Sequence, residues 1–306
     1  MTPTPQTPML SVPGRRFVIG VPYTWLLVFF FLPFLILLYI SFVDMGESIH
    51  PFKPLWDPVT GILSLKYENY WSIFKDGEGG PLFKTIYIEA YLRSIWYAAW
   101  TAVLCLVLGY PFAYFIARSA PALRPALLMM VMLPFWTSFL LRVYAWKGIL
   151  ADQGVVNKVL MALGLVSEPI QMLYTDVSML VGMTYVYLPF MVLPLYANLV
   201  KMDFRLLEAA YDLGTTPFKA FWLITVPLSK AGIVAGFMLV FIPALGEFVI
   251  PSLLGGPENM MIGRVVWDEM FTSNNWPRAS ALAVVMIGLI VVPLALYYHY
   301  TAEDQK

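Results

Sequence analysis

Between Arg16 and Asp44 the chain runs from Phe17 to Val43 without a single charge. About 20 apolar residues at roughly 1.5 Å each cover the ~30 Å of a bilayer's hydrocarbon core, so this run is long enough to cross it as a helix. Three further uncharged runs, Ser94–Ala117, Val177–Val200 and Ala279–Ala302, meet the same test. Two more carry one charged position: Pro125–Leu141 continues through Arg142 to Leu150, and Ala231–Gly246 continues through Glu247 to Leu254. The expectation is an all-α polytopic membrane protein with six transmembrane helices over residues 17–302. Only 12% of the 306 residues are charged and 60% are hydrophobic, whereas soluble domains run nearer a quarter charged.

An even number of crossings puts both termini on one side, and the Lys/Arg bias identifies that side. The amino-terminal tail (Arg15, Arg16), the second connection (Arg118, Arg124), the fourth (Lys201, Arg205, Lys219, Lys230) and Lys306 form one set. The longer remaining loops hold Lys53, Lys66, Lys75, Lys84, Lys158, Arg264 and Arg278. The denser set is cytoplasmic, so residues 1–16 and 303–306 are cytoplasmic tails and 201–230 is a cytoplasmic loop. Residues 1–16 are expected to be disordered, their first 14 being rich in Pro and Thr. The first span is too long for a signal-peptide core and no small-residue cleavage site follows it, so it is expected to stay in place. Cys105 is the sole cysteine and excludes an intrachain disulfide.

Chemistry is limited by what the chain lacks. His50 and His299 are its two histidines, far apart in sequence, and there is no HExxH, GxSxG or GxxxxGK[ST]. Neither a hydrolase nor a metalloenzyme is expected, no resident cofactor or metal is implied, and nothing points to nucleic acid.

The 208–227 stretch, EAAYDLGTTPFKAFWLITVP, is the informative exception. Arg205–Leu213 is helix-forming, Gly214 stops it, and Thr215, Thr216 and Pro217 start a second helix. Phe218, Phe221 and Trp222 give that helix an apolar face. Ala209 and Ala210 are expected to keep one side of the first helix small enough for another protein to approach.

These residues resemble a known signature. Glu208, Ala209, Ala210, Gly214, Ile224 and Pro227 match the E-A-A-x3-G-x9-I-x-L-P pattern of the membrane subunits of binding-protein-dependent ABC importers, with Val226 in place of leucine. The stretches LPFWTSFLLRVYAWKGIL (133–150), YLPFMVLPLYANL (187–199), FIPALGEFVIPSLLGGP (241–257) and MIGRVVWDEMF (261–271) are similar to permeases of putrescine/spermidine importers. The resemblance implies a type I importer permease fold in a bacterial inner membrane. It also implies a second, different permease subunit, two cytoplasmic ATPases that carry the ATP and Mg2+, and a periplasmic polyamine-binding protein. Glu208, Ala209, Ala210, Gly214, Pro217, Ile224 and Pro227 would then form the element that docks in a cleft of the ATPase.

Ionisable residues inside a span need a partner or a task. Glu247, flanked by Pro243, Gly246 and Pro251, is either a carboxylate on a cation pathway or half of a structural ion pair with Arg142. Trp136, Tyr144, Trp146, Tyr185 and Tyr187 are candidate rings for a cationic substrate, or span packing. Asp268 and Glu269, beside Trp267, either attract polyamine at the pathway mouth, form a solvated face or contact the binding protein. The first extracytoplasmic loop mixes Asp44, Glu47, Asp57, Glu68, Asp76, Glu78 and Glu89 with Phe52, Trp56, Tyr67, Tyr70 and Trp71, a surface for a binding protein or a solvated lid. Three rivals stay open: an ion-coupled transporter of an organic cation using Glu247, a related ABC permease for another small solute, and a scaffold that moves nothing.

Overall fold

The computed structural model describes residues 13–46, 51–56, 65–75 and 85–303. The expected tail up to residue 12, His50, Glu47, Asp57, Asp76, Glu78, Lys84 and Lys306 lie outside the described residues, as does the side chain of His299. The described residues are predominantly helical, with one isolated antiparallel bridge between Met45 and Phe52. The chain divides into two compact units, 1–77 with 269–306, and 78–268.

The larger unit is built on three mutually packed helices, Ile86–Arg118, Asp176–Leu199 and Lys230–Leu245. Hydrocarbon solvates an apolar side chain as well as a neighbouring helix does, so association in lipid depends on close packing. Accordingly the first of these helices buries a stripe of small residues, Ala98, Thr101, Ala102, Cys105, Gly109, Ala113 and Ala117. Opposite them lie the buried Met179, Met183, Met191 and Leu195. Lys230–Leu245 carries Gly232 and Gly236 one turn apart. A Cβ on Gly236 would stand 2.6 Å from Met191 Sδ, and one on Gly232 2.7 Å from Asn198 Cβ. The outer faces show Trp96, Val107, Phe112 and Phe115 exposed, as a lipid-facing surface requires.

Among the described residues three helices are continuous, long and apolar enough to cross a membrane: Phe17–Ser41, Ile86–Arg118 and Asp176–Leu199. The third expected span is a bent pair, Arg124–Trp136 and Phe139–Ala162, turned by 85°. Leu133–Trp136 tightens to a 3-10 turn containing Pro134, whose carbonyl is taken up by Thr137 Oγ1 at 2.7 Å. The fifth is preceded by Pro217–Leu228, which meets Lys230–Leu245 at 67° across Ser229. It also stops at Leu245 rather than continuing to residue 254. After Gly246 the chain breaks and resumes as the short helix Val249–Leu254.

In the smaller unit, Pro13–Leu26 leads through a wide π-type turn, Leu27–Phe31, into Leu32–Ser41. Residues 13–16 are therefore helical rather than part of a disordered tail, and Pro13 supplies the residue suited to a first helical position. Leu32–Ser41 packs against Trp276–Glu303, the helix of the sixth expected span, whose described apolar part is Trp276–Val291. Glu68–Phe74 packs on the same helix and is tied to the end of the first span. Asn69 Nδ2 donates to the carbonyls of Ser41 and Val43, and Tyr70 Oη lies 2.7 Å from Ser41 Oγ.

Candidate functional site

Two sites emerge in the larger unit, an elbow between spans and a carboxylate clamp within them. The elbow begins where Asp203 Oδ1 accepts the Arg205 amide at 3.0 Å and starts the helix Arg205–Asp212. It ends in a two-bond closure, Thr215 N to Ala210 O at 3.0 Å and Gly214 N to Tyr211 O at 2.8 Å. That closure requires a left-handed residue, and Gly214 supplies it at φ +82°. Thr216 Oγ1 then caps Pro217–Ala220 through the Lys219 amide, with Pro217 opening the turn. A wide turn, Phe221–Thr225, and the short Val226–Leu228 helix complete the arm.

Leu207, Ala210 and Ala220 form the elbow's own core, with Met202, Phe204 and Ile224 around them. Ala210 therefore faces inward, correcting the expectation that both alanines clear space for a partner; Ala209 and Glu208 are exposed. Pro227 is exposed as well. The outward surface is strongly apolar, with Leu213 87%, Phe218 74% and Leu223 70% exposed, and Trp222 and Leu206 about half exposed. The elbow is also keyed to the second long helix. Phe221 stands edge-on to Tyr110 and Tyr114 at 5.4 and 6.0 Å, and Tyr110 Oη lies 2.8 Å from Ser229 Oγ at the arm's end.

The clamp is centred on Glu247, which is 8% exposed at the break after Gly246. Its Oε1 accepts the amides of Phe248, Val249 and Ile250 at 3.1, 3.0 and 3.5 Å, so the carboxylate caps Val249–Leu254. Its Oε2 accepts the Tyr187 hydroxyl at 2.5 Å. The clamp thus joins the chain between Lys230–Leu245 and Val249–Leu254 to the helix Asp176–Leu199.

The Arg142–Glu247 ion pair, one of the two alternatives for these charges, is not formed. Arg142 is also 8% exposed, its Cζ lies 4.8 Å from the Phe135 ring centroid, and its Nε has no hydrogen-bond partner. Phe135 meets Phe190 at 5.1 Å, and Phe190 meets Tyr187 at 6.2 Å, so a chain of ring contacts runs from Arg142 to the tyrosine that binds the carboxylate. Phe135 and Phe190 stand in the apolar stretches quoted above, but composition alone did not distinguish them from ordinary span residues.

Of the other sequence candidates, Tyr187 alone reaches Glu247 directly. Tyr185 packs edge-on against Trp146 at 5.5 Å. Trp136 and Tyr144 are 71% and 54% exposed and, among the described residues, make no ring or hydrogen-bond contact with the clamp. Trp267 stacks on Phe248 at 4.7 Å and 9°, next to the clamp in sequence. Asp268 Oδ2 is 3.9 Å from Arg264 Nε, which reduces its free negative charge. Glu269 accepts the Asn275 amide through its backbone carbonyl at 2.8 Å.

Residues 109–302 match the family model described as binding-protein-dependent transport system inner membrane component. The chain is similar to the spermidine/putrescine transport system permease protein PotB of Haemophilus influenzae, with 36% identity over 285 residues, 93% of each chain. It is 35% identical over 274 residues to the protein of the same name from Escherichia coli K12, covering 90% of this chain and 93% of that one. Among solved structures it is similar to a chain of the bacterial alginate ABC transporter in complex with alginate pentasaccharide-bound periplasmic protein. The TM-score is 0.63 at 17% identity, covering 96% of both chains, and this likeness bears on the fold alone.

Proposed function

Because the chain belongs to the family of binding-protein-dependent transport system inner membrane components, a multi-pass inner membrane permease with the type I importer fold, we propose that it is one permease subunit of an ATP-driven polyamine importer. The relatives that share 35 to 36% identity over nine-tenths of the chain carry spermidine and putrescine in their names, which supports that substrate class. Catalysis of ATP hydrolysis then belongs to separate ATPase subunits. Six spans, both termini in the cytoplasm, a second permease and a periplasmic binding protein complete the proposal.

The observation that carries the coupling role is the elbow: a rigid corner fixed by Gly214, with Leu213, Phe218 and Leu223 exposed on its outer side and Phe221 keyed to Tyr110 and Tyr114. Exposed aromatic and aliphatic anchors on a fixed helix pair suit a partner's cleft. ATP binding closes the ATPase dimer, the elbow moves with it, and the ring contacts carry that movement into the Ile86–Arg118 span. The permease pair opens outward to the docked binding protein, and hydrolysis returns it inward. Glu208 acts on the elbow or the ATPase and does not touch substrate.

Glu247 serves this cycle as a positioning residue. Its Oε1 accepts three amides and its Oε2 the Tyr187 hydroxyl, so its task is to cap Val249–Leu254 and hold that hydroxyl. Purifying the assembly with its ATPase and binding protein and measuring ATP hydrolysis with putrescine, spermidine and unrelated solutes tests the proposal. Stimulation by a polyamine is expected. Absence of any ATPase on the complex would overturn the coupling role, and stimulation only by another solute would overturn the substrate.

A further inference from the structure

We infer that the bundle holds one anionic phospholipid between its second and third spans, with an acyl chain in an apolar groove and the phosphate between Arg118 and Arg124. The groove is a cavity of about 350 Å3 open to the side of the helices, lined by Phe112, Phe115, Leu127, Met130, Pro134 and Val192 among others. Arg118 ends the Ile86–Arg118 helix and Arg124 begins Arg124–Met132. Phe115 lies three residues before the first arginine and Leu127 three residues after the second. The groove therefore starts about one helical turn along the chain from each arginine position. From Arg124 to Pro134 the chain advances about 15 Å, half of a ~30 Å hydrocarbon core and the depth of one leaflet.

Both arginines retain donors for a phosphate. A guanidinium offers five N–H groups. Arg118 commits Nη1 to Tyr114 Oη at 3.2 Å, and Arg124 commits Nε to the Ser119 carbonyl at 2.9 Å. Among the described residues neither is in an ion pair, and the sequence has no acidic residue between Glu89 and Asp152. This charge selects the occupant. A helix of a second permease would obey the same positive-inside bias and bring its own basic residues to this level, whereas an anionic headgroup brings the opposite sign.

The site also reaches the elbow. Arg118 Cζ lies 5.6 Å from the ring centroids of both Tyr114 and Phe204, and Phe204 packs on the Leu207, Ala210 and Ala220 core. A bound headgroup fixes Arg118 and with it the root of the elbow. The inference rests on the cytoplasmic placement of the 118–124 connection and not on the identity of the transported solute.

The test is native mass spectrometry of the complete, delipidated transporter titrated with phosphatidylglycerol or phosphatidylcholine. About tenfold or greater preferential retention of one phosphatidylglycerol is expected, in line with the attraction of two basic residues for an anionic lipid. Arg118→Gln with Arg124→Gln should abolish that preference, while Arg118→Lys with Arg124→Lys should keep it and so show that charge rather than folding is at stake. Equal retention of the two lipids, an unchanged preference in the Gln pair, or a partner helix found in the groove would overturn the inference. Because lipid retention is read directly, it stands apart from whether polyamines stimulate hydrolysis.

Discussion

Replacing Gly214 separates two ways in which a glycine can matter. Its φ of +82° is one that L-residues resist, at about 1 to 2 kcal/mol for alanine and more for a β-branched side chain, with asparagine the best tolerated. A Cβ built at the position meets nothing within 4 Å, so crowding inside the chain adds no cost. A penalty of that size lowers the bent form of the elbow about 5- to 30-fold relative to alternatives. The expected order of damage is Gly214→Val, then Gly214→Ala, then Gly214→Asn, which follows backbone tolerance and not side-chain volume. The assay is polyamine-stimulated ATP hydrolysis and uptake by the reconstituted complex, with ATPase copurification as the control for assembly. Asparagine, larger than alanine, should couple better than alanine. If instead activity falls in order of volume, the glycine serves a close approach by the partner and the reasoning from φ is refuted.

Glu247→Gln keeps an acceptor for the three amides and should leave the complex assembled, whereas Glu247→Ala should lower its thermal midpoint by the loss of a cap and an orphaned Tyr187 hydroxyl, about 2 to 3 kcal/mol in all. Equal loss in the two variants would show that charge, not capping, is what the site needs. Arg142→Met should be neutral or stabilising in thermal unfolding, because no carboxylate is left uncompensated; a loss repaired by Glu247→Gln would restore the ion-pair reading. Gly236→Leu should cut the yield of folded permease, since its side chain would start 2.6 Å from Met191 Sδ and overpacking costs about 1 to 3 kcal/mol or more. Phe218→Ser and Trp222→Ser should each weaken ATPase retention by about tenfold or more, read by copurification at graded protein concentration, if these rings are interface anchors.

The elbow was legible from local chemistry. Gly214, Thr216 and Pro217 act on their own backbone, and their spacing fixes a stop and a start without help from the rest of the chain. The inward turn of Ala210 was not, because it follows from where Ala220 returns after the corner. Tyr187 was named among the candidate rings, but its bond to Glu247 depends on how Asp176–Leu199 and the end of Lys230–Leu245 are rotated against each other. The Arg142–Glu247 pairing failed for the same reason: comparable depth in the bundle says nothing about which neighbours each side chain meets.

What the sequence determined by itself is the set of apolar runs and the polar connections between them, since lipid excludes charge and demands a minimum length regardless of fold. Only the tertiary structure decided the 85° bend after Trp136, the end of the Lys230 helix at Leu245 and the partners of the buried charges. Spans that are apolar on every side carry little periodic signal of which face is inward. Those choices are made by the packing of small residues such as Gly232 and Gly236 against the methionines and prolines of a neighbouring helix.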